Sequence, residues 1–373
     1  MAFPQFVPLL SFLVASLLTI ASLKLHKRKR ILSLAPICML SILSLATTYK
    51  LSWPVGADST FASLVVFYIP YSIKLLALDE HPMSPEISTH DWKFADYYRV
   101  WNNPRSLPVR LSYLDRSASC DKKSRAVFAV RRAMKAISLA LFNGFVFQKM
   151  LVRSLGSITA ADFSAEMELP ALRHALRLSS HQIQVRAVIS IQWIWSAYFF
   201  LEFGHCLLAI AFVTIGLDRP EEWPLLYGSP LDATSVRAFW GRFWHRITIP
   251  TYSHYAQLVS RIVLGLQPAS RGEKTLIPLL IFAMSGVSHC LVGWSLGDAA
   301  LSRDVLFFVL NFLVAAMETT ISKAKMIEKK KFAPIPKTIK ILLGLCWVFI
   351  FFFCVTPLWI YPKVHYALVE LAS

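Results

Sequence analysis

Apolar residues in this chain fall in blocks of the length that crosses a bilayer, which takes roughly 20 residues of helix. The blocks cover residues 3–23, 31–49, 61–78, 136–152, 187–217, 275–296, 305–321 and 339–361, with long polar stretches at 79–133 and 218–275. The pattern predicts an all-α, polytopic transmembrane protein of about eight spans, with amphipathic helices lying at the interface in the polar stretches. Three sections follow from it: N-terminal transmembrane helices over 1–78, a polar interfacial segment over 79–135, and a core over 136–373. Two blocks are irregular. Residues 136–152 are interrupted by Asn143 and Gln148. Residues 187–217 would measure roughly 46 Å as a helix, too long for a simple crossing and too short for two, which predicts a tilted or kinked helix.

Charge orients these spans. The basic runs at 24–30 and 323–340 belong on the cytosolic side. Alternating spans then place 218–275 in the cytosol and the N-terminus on the far side. Arg153, Arg173, Arg177 and Arg186 count against that topology, because they put positive charge in the opposite loop. The first block has its basic residues after it and no A-x-A site, and it reads as a signal anchor. The aromatics Trp92, Tyr97, Tyr98 and Trp101, mixed with arginine, suit a segment lying on headgroups.

Composition narrows the class further. Hydrophobic residues make up 55% and charged residues 16%, against about a quarter charged in soluble domains. The net charge of +17, from 39 Lys plus Arg against 22 Asp plus Glu, is read as cytosolic loops and headgroup contacts, not nucleic acid. It also suits an acidic co-substrate such as a CoA thioester. Six cysteines without a CxxC pair indicate neither disulfides nor a zinc site. No HExxH or glycine-rich phosphate loop is present, so metal catalysis lacks support.

An ionisable side chain inside a span is costly and marks a candidate site. His289 is the clearest instance. On a helix its face carries Ser285, Gly286 and Gly293. Those small residues fit a substrate tunnel, and they fit close helix packing equally well. Residues 237–247, RAFWGRFWHRI, have helical spacing: Trp240 with Trp244, Phe239 with Phe243, Arg242 with Arg246, and His245 above Gly241. Such a helix could turn its aromatics to lipid or an acyl chain and its arginines to phosphate, or simply anchor at the interface. Glu202 and His205 read as a tunnel-lining pair or a buried satisfied pair, Glu318 as interfacial, and His254 as lacking a metal partner.

The run EEWPLLYGSPLDATSVRAFWGRFWHR, residues 221–246, resembles the signature of the wax-synthase-like branch of the membrane-bound O-acyltransferases. It matches at Trp223, Pro224, Gly228, Ser235, Phe239, Trp240, Gly241, Arg242, Trp244 and His245, and departs at Phe243, where the family has arginine. The family's S-G-x-x-H helix is matched at Ser285, Gly286 and His289. WNNPRSLPVR is similar to its N-x-R-G segment, with Ser106 in place of glycine. The resemblance implies His289 as catalytic base and His245 as its partner. Arg242, Arg246, Trp240 and Trp244 become candidates for holding CoA, and Ser285, Gly286 and Gly293 for the tunnel. Oxyanion donors would come from Ser285, Ser288 or the ring nitrogens of Trp240 and Trp244.

The implied reaction is O-acyl transfer from an acyl-CoA, most simply acetyl-CoA, to the hydroxyl of a hydrophobic small molecule such as a terpenoid. That is the fungal secondary-metabolite acetyltransferase type, in the endoplasmic reticulum membrane, with no permanent cofactor, no metal and no nucleic acid. A long-chain wax or sterol ester synthase is the alternative within the class. A transporter or lipid-binding scaffold is the alternative outside it, although paired broken helices in two similar halves are not seen.

Overall fold

Hydrocarbon offers no partner to a peptide group, so a chain of apolar blocks must satisfy its backbone within each block. The computed structural model describes residues 4–51, 53, 56–79, 93–107, 122–156, 158–168, 178–327 and 336–372, and among them every regular element is helical. Trp92, Cys120, Arg173, Arg177 and Lys329 to Lys331 lie outside the described residues. In chain order the main helices are α1 (Val7–Ser22), α2 (Lys27–Ala46), α3 (Ala57–Ile73), α4 (Phe94–Trp101), α5 (Lys122–Leu141), α6 (Ser180–Thr214), α7 (Val236–Ala238), α8 (Ile249–Leu258), α9 (Arg271–Leu296), α10 (Ser302–Ile327) and α11 (Lys337–Ala372).

Among the described residues seven helices are long and apolar enough to span a membrane, and α1 is a shorter apolar helix of 16 residues. The protein is an integral membrane protein. Each apolar block expected from sequence coincides with a helix, so the difference at the first is one of length. The weak block 136–152 belongs to a helix that begins at Lys122 and continues through Phe142–Phe147 and Gln148–Leu155. It crosses residues 135 and 136 without a break, so the step there is one of polarity along a single helix. Residues 187–217 form most of α6, one helix of 35 residues, about 52 Å long at 1.5 Å per residue.

The cap of α6 explains its early start. Ser179 Oγ accepts from the Gln182 N–H while Gln182 Oε1 accepts from the Ser179 N–H, a capping box that satisfies two donors. Arg186 is therefore not a loop charge. It sits in α6 at 1% exposure, donates to the Met167 carbonyl and lies over the rings of Phe353 and Tyr361. One count against the expected topology is thereby removed.

The α4 segment also differs from expectation. Its aromatic face does not lie on headgroups. Tyr97 and Tyr98 are buried against α1 to α3, and Tyr71 Oη donates to the Val100 and Trp101 carbonyls. A hydroxyl inside the bundle needs an acceptor, and the carbonyls left free at the end of α4 provide it.

The core that positions the site is aromatic. Trp193 of α6 stands at its centre, with Phe239, Trp240, Trp244, Phe307, Phe352 and Trp359 around it at centroid distances from 5.1 to 6.4 Å. α9 and α10 are joined by a short turn at Gly297 (φ 85°) and cross closely, because a Cβ at Gly286 would stand 2.8 Å from the Cα of Val305. At Gly286 the small residue therefore serves helix packing.

We predict that Gly286→Leu separates α9 from α10 and costs about 1–3 kcal/mol, seen as a lower thermal midpoint in detergent. A midpoint unchanged from the parent would contradict this packing.

Candidate active site

The segment 223–247 carries the aromatic-rich motif, and its backbone is mostly not α-helical. Ser235 caps α7, its Oγ accepting from the Ala238 N–H at 3.0 Å. Glu318 of α10 takes the next two free donors, Val236 N–H at 2.8 Å and Arg237 N–H at 2.9 Å, and also accepts from Trp347 Nε1 at 2.6 Å. α7 then widens into a π-helical turn over Phe239–Phe243, closed by the Trp244 N–H on the Phe239 carbonyl at 2.8 Å. Such widened turns concentrate at functional sites. At Trp244 the backbone becomes extended (ψ 150°).

This corrects the expected helix over 237–247. Phe239 and Phe243 do meet, as do Trp240 and Trp244, but edge-on at 5.3 and 5.5 Å. Phe239, Phe243 and Trp244 face the protein core instead of lipid. His245 and Arg246 lie beyond the helix end, so Arg242 and Arg246 form no helical stripe. Gly228 holds the turn from the other side: its N–H donates to the Phe243 carbonyl at 2.9 Å, and a Cβ there would come 2.1 Å from the Arg242 carbonyl oxygen. Only glycine fits that approach.

A cavity of about 2520 Å³ runs through the bundle beside this turn. His289 and His245 both open onto it, together with Trp240, Trp244, Ser285 and Gly293. Arg242, Arg246 and Gly286 are not among its lining residues. The His289 ring is stacked on Phe308 at 5.0 Å and meets the edge of Trp359 at 6.1 Å. Among the described residues neither nitrogen of His289 has a hydrogen-bond partner. No cross-helix hydrogen bond to the imidazole is made among those residues. His245 Nδ1 is buried without a partner as well, between the rings of Trp244 and Tyr227.

The candidate donors sort themselves by their existing bonds. Trp240 Nε1 donates to Asn311 Oδ1 at 2.8 Å, Ser285 Oγ donates to the Ile281 carbonyl, and Ser288 Oγ donates to the Met284 carbonyl while pairing with Tyr252 Oη at 2.6 Å. Trp244 Nε1 has no hydrogen-bond partner among the described residues. It is the ring donor left available.

With this geometry in view, the likeness to known proteins becomes specific. Residues 223–310, which hold the turn, His245 and His289, match the membrane bound O-acyl transferase family. Acetyltransferase spyB of Aspergillus fumigatus is 27% identical over 203 residues, half of this chain and 34% of that protein. Acetyltransferase nanB of Aspergillus nanangensis is 26% identical over 188 residues, 49% of this chain and 45% of that protein. Acetyltransferase TRI7 of Fusarium sporotrichioides is 32% identical over 102 residues, 27% of this chain and 23% of that protein. The aligned stretches span about half or less of these relatives' own length.

Around the matched stretch stand residues whose part in the site was not read from sequence. Glu318, expected at the interface, is the acceptor that anchors the turn. Asn311, fully buried, orients Trp240. Arg105 lines the cavity and donates to the Leu225 carbonyl at 3.1 Å. Burial holds its guanidinium below the ordinary arginine value, and the nearby charge of Arg246 acts in the same direction. Its loop is closed by Asn103, whose Nδ2 donates to the Leu107 carbonyl and whose Oδ1 accepts from the Leu107 N–H. Ser106 there has φ 51°, the left-handed conformation that explains why the family's segment carries glycine at this place.

Glu202 and His205 are not a pair. Glu202, fully buried, binds Lys135 Nζ at 2.6 Å with Arg132 at 3.7 Å, whereas His205 lies against the Trp223 ring and lines the cavity. Among the described residues no three His, Cys, Asp or Glu side chains converge as metal ligands would.

Two measurements check this geometry. Removing Glu318 takes the acceptor from the N–H of buried Val236, while the exposed Arg237 N–H can turn to water, so Glu318→Ala should cost about 1 kcal/mol and lower the thermal midpoint more than Glu318→Gln. Equal midpoints for the two variants would contradict it. Burial pushes the His245 imidazole down to about 3 from 6.5, with His289 and Arg105 adding to the effect. The unfolded chain then gains a proton before the folded one does, so stability falls as pH drops below about 6.5, by up to about 1.4 kcal/mol per pH unit for one proton. His245→Gln should flatten that slope, and an unchanged slope would sink the assignment.

Proposed function

We propose that this protein is an acyl-CoA-dependent O-acyltransferase that moves an acetyl group from acetyl-CoA onto the hydroxyl of a hydrophobic small molecule such as a terpenoid. On this reading it acts in secondary metabolism, in the endoplasmic reticulum membrane. The observation that carries the reading is the opening of His289 and His245, both in the matched stretch, onto one large cavity. The acetyltransferase names of the relatives favour the short donor, and the cavity leaves room for a bulky acceptor.

His289 is the general base. An alcohol is a weak nucleophile at neutral pH, and an unpartnered imidazole can take its proton as the oxygen attacks the thioester carbonyl. The C–O bond forms, the carbonyl electrons pass to oxygen, and the oxyanion needs donors. Trp244 Nε1 is a ring donor without a partner, and His245, kept neutral by burial, can supply a second. Collapse of the intermediate breaks the C–S bond, and CoA leaves as a thiol after receiving the proton from His289. Arg105 is assigned to the CoA phosphates ahead of Arg242 and Arg246, because it lines the cavity and they do not, while Arg246 adds to its field. Trp240, fixed by Asn311, and Trp244 form the wall along which the pantetheine arm would run, with Ser285 and Gly293 further in.

Membranes holding the protein should convert labelled acetyl-CoA and a terpenoid alcohol into ester, and His289→Ala should lower kcat at least a hundredfold. Arg105→Gln should raise KM for acetyl-CoA about tenfold, the loss of one charge-assisted contact, with little change in kcat. Ester from long-chain donors only would favour a wax or sterol ester synthase, and none from any donor would leave a transporter or scaffold as the better reading.

A further inference from the structure

Past His289 the cavity wall carries a charge cluster with no part in the reaction as described. Asp304, 1% exposed at the start of α10, accepts from Trp359 Nε1 at 2.6 Å. It also accepts from Lys363 Nζ, at 3.1 Å on one oxygen and 3.0 Å on the other. Lys363 reaches Asp298 Oδ2 as well, at 2.9 Å. Asp298, Asp304, Trp359 and Lys363 all line the cavity that His289 lines.

Two carboxylates against one ammonium leave the cluster with a net charge of −1. A staple between α11 and the α9–α10 turn would need only one such pair, and the unbalanced charge makes burial more costly, not less. The cluster touches the site through Trp359. The same indole that donates to Asp304 sets its edge against the His289 ring, and its face is stacked on Phe307 at 4.3 Å. With Phe308 covering one face of the imidazole, the ring is fixed on two sides.

We propose that Asp298, Asp304 and Lys363 form a positioning cluster for His289: through Trp359 it fixes the imidazole, and its residual negative charge stabilises the imidazolium formed when that ring takes a proton. The inference rests on the role given to His289 above, but its charge component can be read without turnover.

The other groups that face His289 are accounted for. His245, from the turn after α7, is held neutral by burial down to about 3. Tyr252 of α8 is pushed above its ordinary value by burial and is tied to Ser288. On α9 itself the Cys290 thiol donates to the Leu301 carbonyl. The formal charges next to His289 are therefore those of the aspartates and the lysine.

The test is the pH dependence of His289 carbethoxylation by diethyl pyrocarbonate, followed by peptide mass spectrometry on the full chain in nanodiscs. Only the neutral imidazole reacts. Asp298→Asn keeps an acceptor for Lys363 on a partly exposed side chain, so folding is least at risk, and it takes the cluster from −1 to neutral. The midpoint of the curve should move to lower pH by roughly half to one unit. Asp298→Asn with Lys363→Met leaves Asp304 alone, returns the cluster to −1 and should bring the midpoint back. A midpoint unmoved in Asp298→Asn would overturn the proposal. If the parent protein also transfers acetyl groups, the acid limb of its kcat profile should move with the midpoint while KM for acetyl-CoA stays. Absent transfer would count against the function, and the shift or constancy of the modification midpoint would still decide whether the cluster acts on His289.

Discussion

Where α7 starts, the backbone N–H groups of buried Val236 and exposed Arg237 lack helical partners, and Glu318 accepts from both. The rest of the site follows from that anchorage. With its first donors satisfied by Glu318 and Ser235, the chain can make a single tight segment, widen at Phe239–Phe243 and leave the helix at Trp244. Gly228 closes the far side by bringing its own N–H to the Phe243 carbonyl. Irregular backbone within a membrane protein is tolerated where protein satisfies it and it lines a cavity. Here the result is that His245 and Trp244 leave the helix at the cavity wall instead of continuing along a helical face.

The same logic of full satisfaction limits what each side chain can do. Trp240 is committed to Asn311, Ser285 to its own helix, and Ser288 to Tyr252 and its own helix. His289, His245 Nδ1 and Trp244 Nε1 keep unused hydrogen-bonding capacity at the cavity. In a well-packed interior unpaired polar atoms are expensive, and these three, on residues that line one cavity, give the site its chemical character.

Much of this was legible in the chain itself. Hydrophobic blocks located the helices because an apolar run of that length has few other uses, and His289 stood out because an ionisable group within such a run is costly. The helical reading of 237–247 failed for a physical reason. Its spacing is helical and Gly241 alone gives little warning, whereas the groups that shape the turn lie on Gly228, before it, and on Glu318, far after it. Glu318 looked interfacial because its partners are 81 and 82 residues away in sequence. Lys363 was passed over because the last apolar block ended at residue 361, although α11 continues to Ala372. Gly286 and Gly293 show that one small-residue pattern can carry both readings: the first packs α9 on α10, and the second packs and also lines the cavity.

The proposed function has a spatial core: CoA enters at the end of the cavity marked by Arg105, and its acyl carbon stops at His289. A cryo-EM structure of the protein with a non-transferable thioether analogue of acetyl-CoA tests it most directly. The expected result is phosphate density against Arg105 and the acetyl carbonyl carbon beside His289, with room between them for a hydroxyl at about 3–4 Å from that carbon. An analogue bound with its acetyl end away from His289 and His245, or outside the cavity, would contradict it.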